Sequence, residues 1–202
     1  MLTVFHAPRT RSIRILWMLE EMGLAYEVRP VDFPRHRADA EFMRLNPAGT
    51  IPVLTDGDVV ISDSVAIMEY LGRRHGPTVL APDASDPTFP AYLQFLLLGE
   101  ASLAGPMTVV AYCRFSGLRD QMENPGVDAA RSLFRSRLIA VEQQLCGHAY
   151  MAGDVFTAAD ISVAYALGFG EALGAVEAFR PAVRDYLNRC RSRRAFRRAL
   201  TR

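Results

Sequence analysis

Hydrophobic and polar positions alternate in two regimes along the chain. Leu2–His6 is a short apolar run that stops before Pro8 and predicts a strand. From Ser12 onward, Ile13, Leu16, Trp17, Leu19 and Leu24 recur near helical spacing, and Gly23 supplies the stop. Tyr26–Val31 alternates as a strand does. Ala38–Leu45 predicts a short helix ending before Asn46-Pro47. Ile51–Thr55 and Val59–Ile61 flank Asp56-Gly57, a dipeptide suited to a hairpin turn. Beyond Asp63, the residues Val65, Ile67, Met68 and Leu71 set the period of another helix, closed near Gly72–Gly76. Residues 1–76 thus predict the order β-α-β-α-β-β-α, with Val4, Phe5, Val28, Val31, Val53 and Leu54 in a small mixed sheet covered by helices.

Four prolines between residues 77 and 90 predict a linker, and residues 91–202 read as an all-helical C-terminal domain. Pro90–Phe115 is a long helix that Gly105-Pro106 should kink, because proline lacks the N–H the helix needs. Gly126–Leu145 is a second helix. Phe156-Thr157-Ala158-Ala159-Asp160-Ile161 is a helix start, with Thr157 as cap, Asp160 at the capping-box position and Phe156 able to staple to Ile161. Arg180–Arg191 and Arg194–Leu200 complete the helical set. The most apolar stretch, Phe95–Tyr112, is broken by Glu100 and Pro106, short of the roughly 20 uncharged residues a membrane helix needs. No basic segment followed by an apolar one opens the chain, so a cytoplasmic location without membrane attachment is expected.

Composition narrows the chemistry. Half of the 202 residues are apolar and 22% are charged, as in a globular chain. All 23 basic residues are arginine. Without a lysine amine, Schiff-base chemistry and Walker-type phosphate loops are excluded. Cys113, Cys146 and Cys190 are widely spaced, with neither a C-x-x-C pair nor metal-ligand spacing, so neither a disulfide framework nor a metal site is expected. Residues 180–202 hold nine arginines against Asp185 alone. Without interleaved aromatics or a recognition motif, this tail reads as a solvated helical face rather than a nucleic-acid site.

Three segments carry candidate chemistry. In Thr50-Ile51-Pro52, a cis peptide bond before Pro52 would turn the Ile51 backbone outward to pair with an extended peptide; an ordinary trans proline at a strand start is the alternative. In Ser62-Asp63-Ser64, a helix N-terminus and the Ser64 hydroxyl suit a carboxylate, and Asp63 suits an ammonium group. Together they fit an amino-acid head group, and they equally fit plain capping. In the loop Ala7-Pro8-Arg9-Thr10-Arg11-Ser12, the helix start beyond the loop would favour an anion such as a thiolate, with Thr10 and Ser12 as hydroxyl donors or as caps.

These motifs, in this order, resemble the cytosolic-type glutathione transferases over essentially the whole chain. The matching stretches are RSIRILWMLEEMGLAYEV, NPAGTIPVL, SDSVAIMEYL and GDVFTAADISVAYAL. The resemblance implies a thioredoxin-like N-terminal domain, an all-α C-terminal domain, glutathione as co-substrate without a metal, and a homodimer. It implies that Pro52 is the cis-proline and that the Ile51 backbone pairs with the cysteinyl part of glutathione. Asp63 and Ser64 would hold the γ-glutamyl head, and Thr50 stands where relatives often carry Gln or Lys. Asp160 is the family's capping aspartate. The catalytic position departs from the pattern. The first strand has Phe5 where vertebrate-type members use tyrosine. Beta-type members would place their cysteine near Arg11, and plant-type members their serine near Arg9. Thr10 is the expected thiolate donor, Ser12 the next, with Arg9 contributing positive charge.

The implied reaction joins the glutathione thiolate to a small hydrophobic electrophile. Met107, Ala111, Tyr112 and Phe115, near the expected kink, are candidate contacts for it, or simply packing residues at helical spacing. A binding or regulatory protein that keeps glutathione but not the chemistry is the alternative. A thiol-disulfide oxidoreductase is disfavoured because the first loop has no cysteine.

Overall fold

The computed structural model describes residues 1–115 and 122–202. They divide into two compact units, Met1–Ala81 together with Ser192–Arg202, and Pro82–Arg191.

The first unit runs β1 (Leu2–His6), α1 (Ser12–Met22), β2 (Tyr26–Pro30), a 3-10 turn (His36–Ala38), α2 (Ala40–Leu45), β3 (Val53–Asp56), β4 (Val59–Ser62) and α3 (Ser64–Arg74). This is the expected thioredoxin-like order. The sheet is arranged β2-β1-β3-β4, with β1 parallel to β2 and antiparallel to β3, and β3 antiparallel to β4. The parallel pair requires a crossover, which α1 supplies. Val4 lies opposite Val28 on one side and Leu54 on the other. Gly23 ends α1 in the left-handed region at φ 66°, where its N–H bonds to the Leu19 carbonyl. The second helix starts later than the apolar pattern suggests, because Asp39 caps it by accepting from the N–H groups of Glu41 and Phe42.

The last helix of the chain, Arg194–Ala199, packs on α1 within this unit. The Phe196 and Trp17 rings stand 4.7 Å apart. Arg193 forms a two-pronged pair with Glu21 at 2.6 and 2.8 Å, while Arg198 and Arg202 both hold Glu20. The two glutamates are largely buried, so these pairs are less screened than ordinary surface ones. Three arginines of the basic tail therefore serve internal ion pairs.

The second unit contains α4 (Phe89–Leu97), a π-helical segment (Leu98–Ala104), α5 (Gly105–Phe115), α6 (Pro125–Leu145), α7 (Ala158–Ala172) and α8 (Pro181–Arg191), which makes the segment Arg194–Ala199 α9. Where a kink is expected at Gly105-Pro106, the structure has a π segment just before it. The Gly105 N–H reaches back five residues to the Glu100 carbonyl. Pro106 has no N–H for the Ser102 carbonyl, which instead accepts from Arg137 Nη1 of α6 at 2.9 Å. At Gly99 the segment touches α7: a Cβ there would fall 2.4 Å from Ser162 Oγ. Contrary to the expectation from Glu100 and Pro106, Phe89–Phe115 is long and apolar enough to cross a membrane by length and composition alone. Its Tyr92, Phe95, Leu96, Leu103, Met107 and Val110 are buried in the helical unit, while Leu93, Leu97, Val109, Tyr112 and Phe115 are exposed.

The capping box at α7 forms as expected. Asp160 is fully buried and accepts from the N–H groups of Met151 and Thr157 at 2.8 Å each and from the Tyr186 hydroxyl at 3.0 Å. Burial nevertheless pushes its carboxyl up to about 6, against the opposing pull of those hydrogen bonds.

Candidate functional site

The β1–α1 loop is a small hydrogen-bonded network. Arg9 is exposed and holds φ 63°, a left-handed conformation that is costly for a residue with a side chain. Thr10 is half-buried, and its Oγ1 donates to the Ala7 carbonyl at 2.8 Å. Ser12 is fully buried, so its hydroxyl does not face solvent. Its Oγ lies 2.7 Å from Thr10 Oγ1 and 2.7 Å from Nδ1 of His6 at the end of β1. Burial lowers the His6 pKa, which favours the neutral imidazole. The Ser12 N–H makes only a long contact of 3.4 Å to Thr10 Oγ1, so capping is a minor part of what these hydroxyls do.

The second element precedes β3. The Ile51–Pro52 bond is cis. Ile51 and Pro52 are buried, Thr50 is exposed, and the Asn46 side chain donates to both the Thr50 carbonyl and its hydroxyl at 2.8 and 3.0 Å. Ile51 lies outside the β1–β3 ladder, which ends at the pair of Phe5 with Val53. Among the described residues, none bonds to its backbone N–H or C=O.

The third element is the start of α3. Asp63 is exposed at φ 72°, and its Oδ1 accepts from the N–H groups of Val65 and Ala66 at 3.0 and 3.5 Å. The capping reading is thus realised, and it leaves Oδ2 without a bond among the described residues. Ser64 is buried, and its Oγ accepts from Arg14 Nη1 at 2.9 Å.

Two contacts join these elements. Ala7 of the loop and Ile51 belong to one buried cluster with Phe5, Val31, Phe42 and Val53. Arg14, fully buried on α1, ties the helix that follows the loop to the head of α3. The reading from sequence passed over Arg14 and His6. A lone arginine amid Ile13, Ile15 and Leu16 was the available signal, since buried charge demands a partner. On α5, Met107 is fully buried, Ala111 is partly buried, and Tyr112 and Phe115 are 64% and 71% exposed. Among the described residues, no group of three or more His, Cys, Asp or Glu is placed to hold a metal.

Comparison with known proteins agrees with this geometry. Residues 10–74 match the family described as glutathione S-transferase, N-terminal domain, and residues 101–194 match glutathione S-transferase, C-terminal domain. The chain is 34% identical over 103 residues to glutathione S-transferase 3 of Schizosaccharomyces pombe, covering 51% of this chain and 43% of that protein. It is 32% identical over 147 residues to glutathione S-transferase 4 of Zea mays, covering 70% and 64%. It therefore spans less than two thirds of the length of these curated relatives. A glutathione transferase from Burkholderia graminis, solved with two glutathione molecules bound per subunit, superposes with a TM-score of 0.84 at 25% identity, covering 98% of this chain and 87% of that one. With the two domain matches in sequence order on a thioredoxin-like sheet unit and a helical unit, the chain belongs to the cytosolic-type glutathione transferase family.

Proposed function

We propose that this protein is a glutathione transferase that holds glutathione on its first unit and directs the thiolate at small hydrophobic electrophiles. The observation that carries the reading is the N-terminal family match over residues 10–74, which contains Thr10, Ser12, Thr50, Ile51, Pro52, Asp63 and Ser64. The γ-glutamyl ammonium pairs with Asp63 Oδ2, and its carboxylate takes the Ser64 N–H and hydroxyl at the start of α3, since Asp63 Oδ1 already holds the N–H groups of Val65 and Ala66. The cysteinyl backbone pairs with Ile51. Thr10 turns its hydroxyl from the Ala7 carbonyl to the sulfur, and Arg9 adds positive charge.

The chemistry follows from the magnitudes. A hydrogen bond to an ionised group contributes about 1.5–3 kcal/mol. One pKa unit corresponds to about 1.4 kcal/mol. One hydroxyl therefore lowers the thiol pKa by roughly one to two units, enough to raise the thiolate fraction near neutral pH. The thiol proton passes to solvent, and the sulfur lone pair forms the new bond to carbon as the electrophile's leaving group departs to solvent with its bonding pair. On α5 the exposure of Tyr112 and Phe115 supports contact with an apolar electrophile, with partly buried Ala111 and buried Met107 as the further candidates on that helix. A homodimer in the cytoplasm, without nucleic acid or membrane as partner, completes the reading. The internal pairing of Arg193, Arg198 and Arg202 supports the exclusion of nucleic acid.

The test is glutathione titration by calorimetry, followed by turnover with a general aromatic electrophile. Binding with turnover supports the proposal. Binding without turnover removes the transferase activity, and no binding removes the site.

A further inference from the structure

The loop hydroxyls do not stand alone. His6 Nδ1, Ser12 Oγ, Thr10 Oγ1 and the Ala7 carbonyl form one line of contacts at 2.7, 2.7 and 2.8 Å. Its inner end is a buried imidazole and its outer end a half-buried hydroxyl, with a fully buried serine between. Each hydroxyl has one proton to give, so the direction of the whole line is set at one end.

Two directions are available. If Nδ1 carries the ring proton, it donates to Ser12 Oγ. Ser12 then gives its own proton to Thr10 Oγ1, its nearest acceptor, rather than to the Ala7 carbonyl at 3.3 Å. Thr10, already accepting from Ser12, must point its proton outward, to the Ala7 carbonyl or to a bound anion. If Nδ1 is bare, Ser12 donates inward to the ring and draws the Thr10 proton after it. The contact of Thr10 with the Ala7 carbonyl fits the outward direction. Each bond accepted also polarises the next O–H, making the terminal hydroxyl a stronger donor.

We propose that His6 is a positioning residue for the thiolate: its Nδ1–H acts through Ser12 to orient and polarise the Thr10 hydroxyl toward the glutathione sulfur. Ser12 is the relay and does not itself touch the substrate. This rests on the transferase reading above, and it assigns different work to the two hydroxyls, which the sequence alone left as rivals.

The experiment compares His6→Asn, His6→Gln and His6→Leu. The asparagine amide can place an N–H where Nδ1 stands, whereas the longer glutamine reaches the Nε2 side of the ring. The readout is the pKa of the bound glutathione thiol, followed by ultraviolet absorption of the thiolate, with glutathione affinity measured beside it. His6→Gln and His6→Leu should raise that pKa and slow turnover about threefold to tenfold below it, the effect of weakening one hydrogen bond. Affinity should stay within about twofold, because orientation matters chiefly to the anionic sulfur. His6→Asn should recover most of the loss. In a Ser12→Ala background, His6→Gln should have no further effect. If His6→Leu fails to fold, His6→Gln keeps a polar group in the pocket and carries the test. An unchanged thiol pKa in His6→Gln, or a full His6→Gln effect without Ser12, overturns the inference. Wild-type protein that neither binds nor ionises glutathione overturns the transferase reading instead.

Discussion

Arg14 and Ser64, fifty positions apart in the chain, are joined by a hydrogen bond of 2.9 Å between two buried side chains. Arginine has only donors, so Ser64 Oγ must accept and its own proton remains to be given away. The pair therefore fixes both the position of the α3 head and the polarity of its hydroxyl.

Replacing Arg14 with methionine should weaken glutathione binding about tenfold and lower stability by about 1–3 kcal/mol, since a charge-assisted bond is lost. Calorimetric titration and denaturant unfolding separate the two effects. Unchanged affinity in a destabilised variant would reduce Arg14 to a packing role.

Asp63→Ala should lower glutathione affinity more than it lowers stability. The cap on Val65 and Ala66 is worth about 1 kcal/mol at an exposed helix start. The ion pair proposed between Asp63 and the ligand ammonium would be lost in addition. A fall in the unfolding midpoint with unaltered affinity would leave Asp63 as a cap only.

Asp160 makes stability depend on pH in a direction opposite to most carboxylates. Its folded pKa, about 6, lies above the ordinary value, so the folded state holds the extra proton between about pH 4 and 6. Its contribution is fully present below the unfolded pKa and is lost as pH rises through about 6. A shift of about two units corresponds to about 3 kcal/mol. Unfolding free energy measured from pH 7 down to pH 5 should therefore rise in wild type relative to Asp160→Asn, in which the lowered His6 pKa still acts and stability falls over the same range. The variant should be less stable throughout, because an amide offers one acceptor oxygen where Met151 and Thr157 need two. A parallel slope in both proteins would show that other groups govern this range.

Phe196→Ala should loosen α9 from α1. Trp17 is the sole tryptophan, so its fluorescence reports the contact directly. A shift in its emission and a loss of about 1–3 kcal/mol are expected for a half-buried ring in aromatic contact. Added salt should enlarge the effect by screening the pairs on Glu20 and Glu21. An unaltered spectrum would mean that α9 is held by its ion pairs alone.

Local signals were legible in the sequence where they act locally. The Asp56-Gly57 turn, the Gly23 stop and the Thr157–Asp160 box each involve residues within a few positions of one another, and their chemistry is written in residue type. What the apolar period could not show is where a helix face goes. Ile13 fits the stripe on α1, yet it is only partly buried while Arg14 is wholly so, with its Nη1 bonded to Ser64 Oγ fifty positions away. His6 looked like the end of an apolar strand. Its partner Ser12 became recognisable only once the loop had folded back on β1. Pro106 announced a distortion, but not that Arg137 would arrive from another helix to take the Ser102 carbonyl that the proline leaves without a donor.

The docking of α9 on α1 also sets an order of events at the ribosome. Ser192–Arg202 completes the unit that begins at Met1, yet it is translated only after every residue of Pro82–Arg191. In topological terms the helical unit is an insertion within the sheet unit. The sheet and its loop can emerge and pair early, but Glu20 and Glu21 must wait for Arg193, Arg198 and Arg202, and Trp17 must wait for Phe196. A nascent chain stalled before residue 192 would therefore display α1 with its acidic outer turn and its tryptophan uncovered.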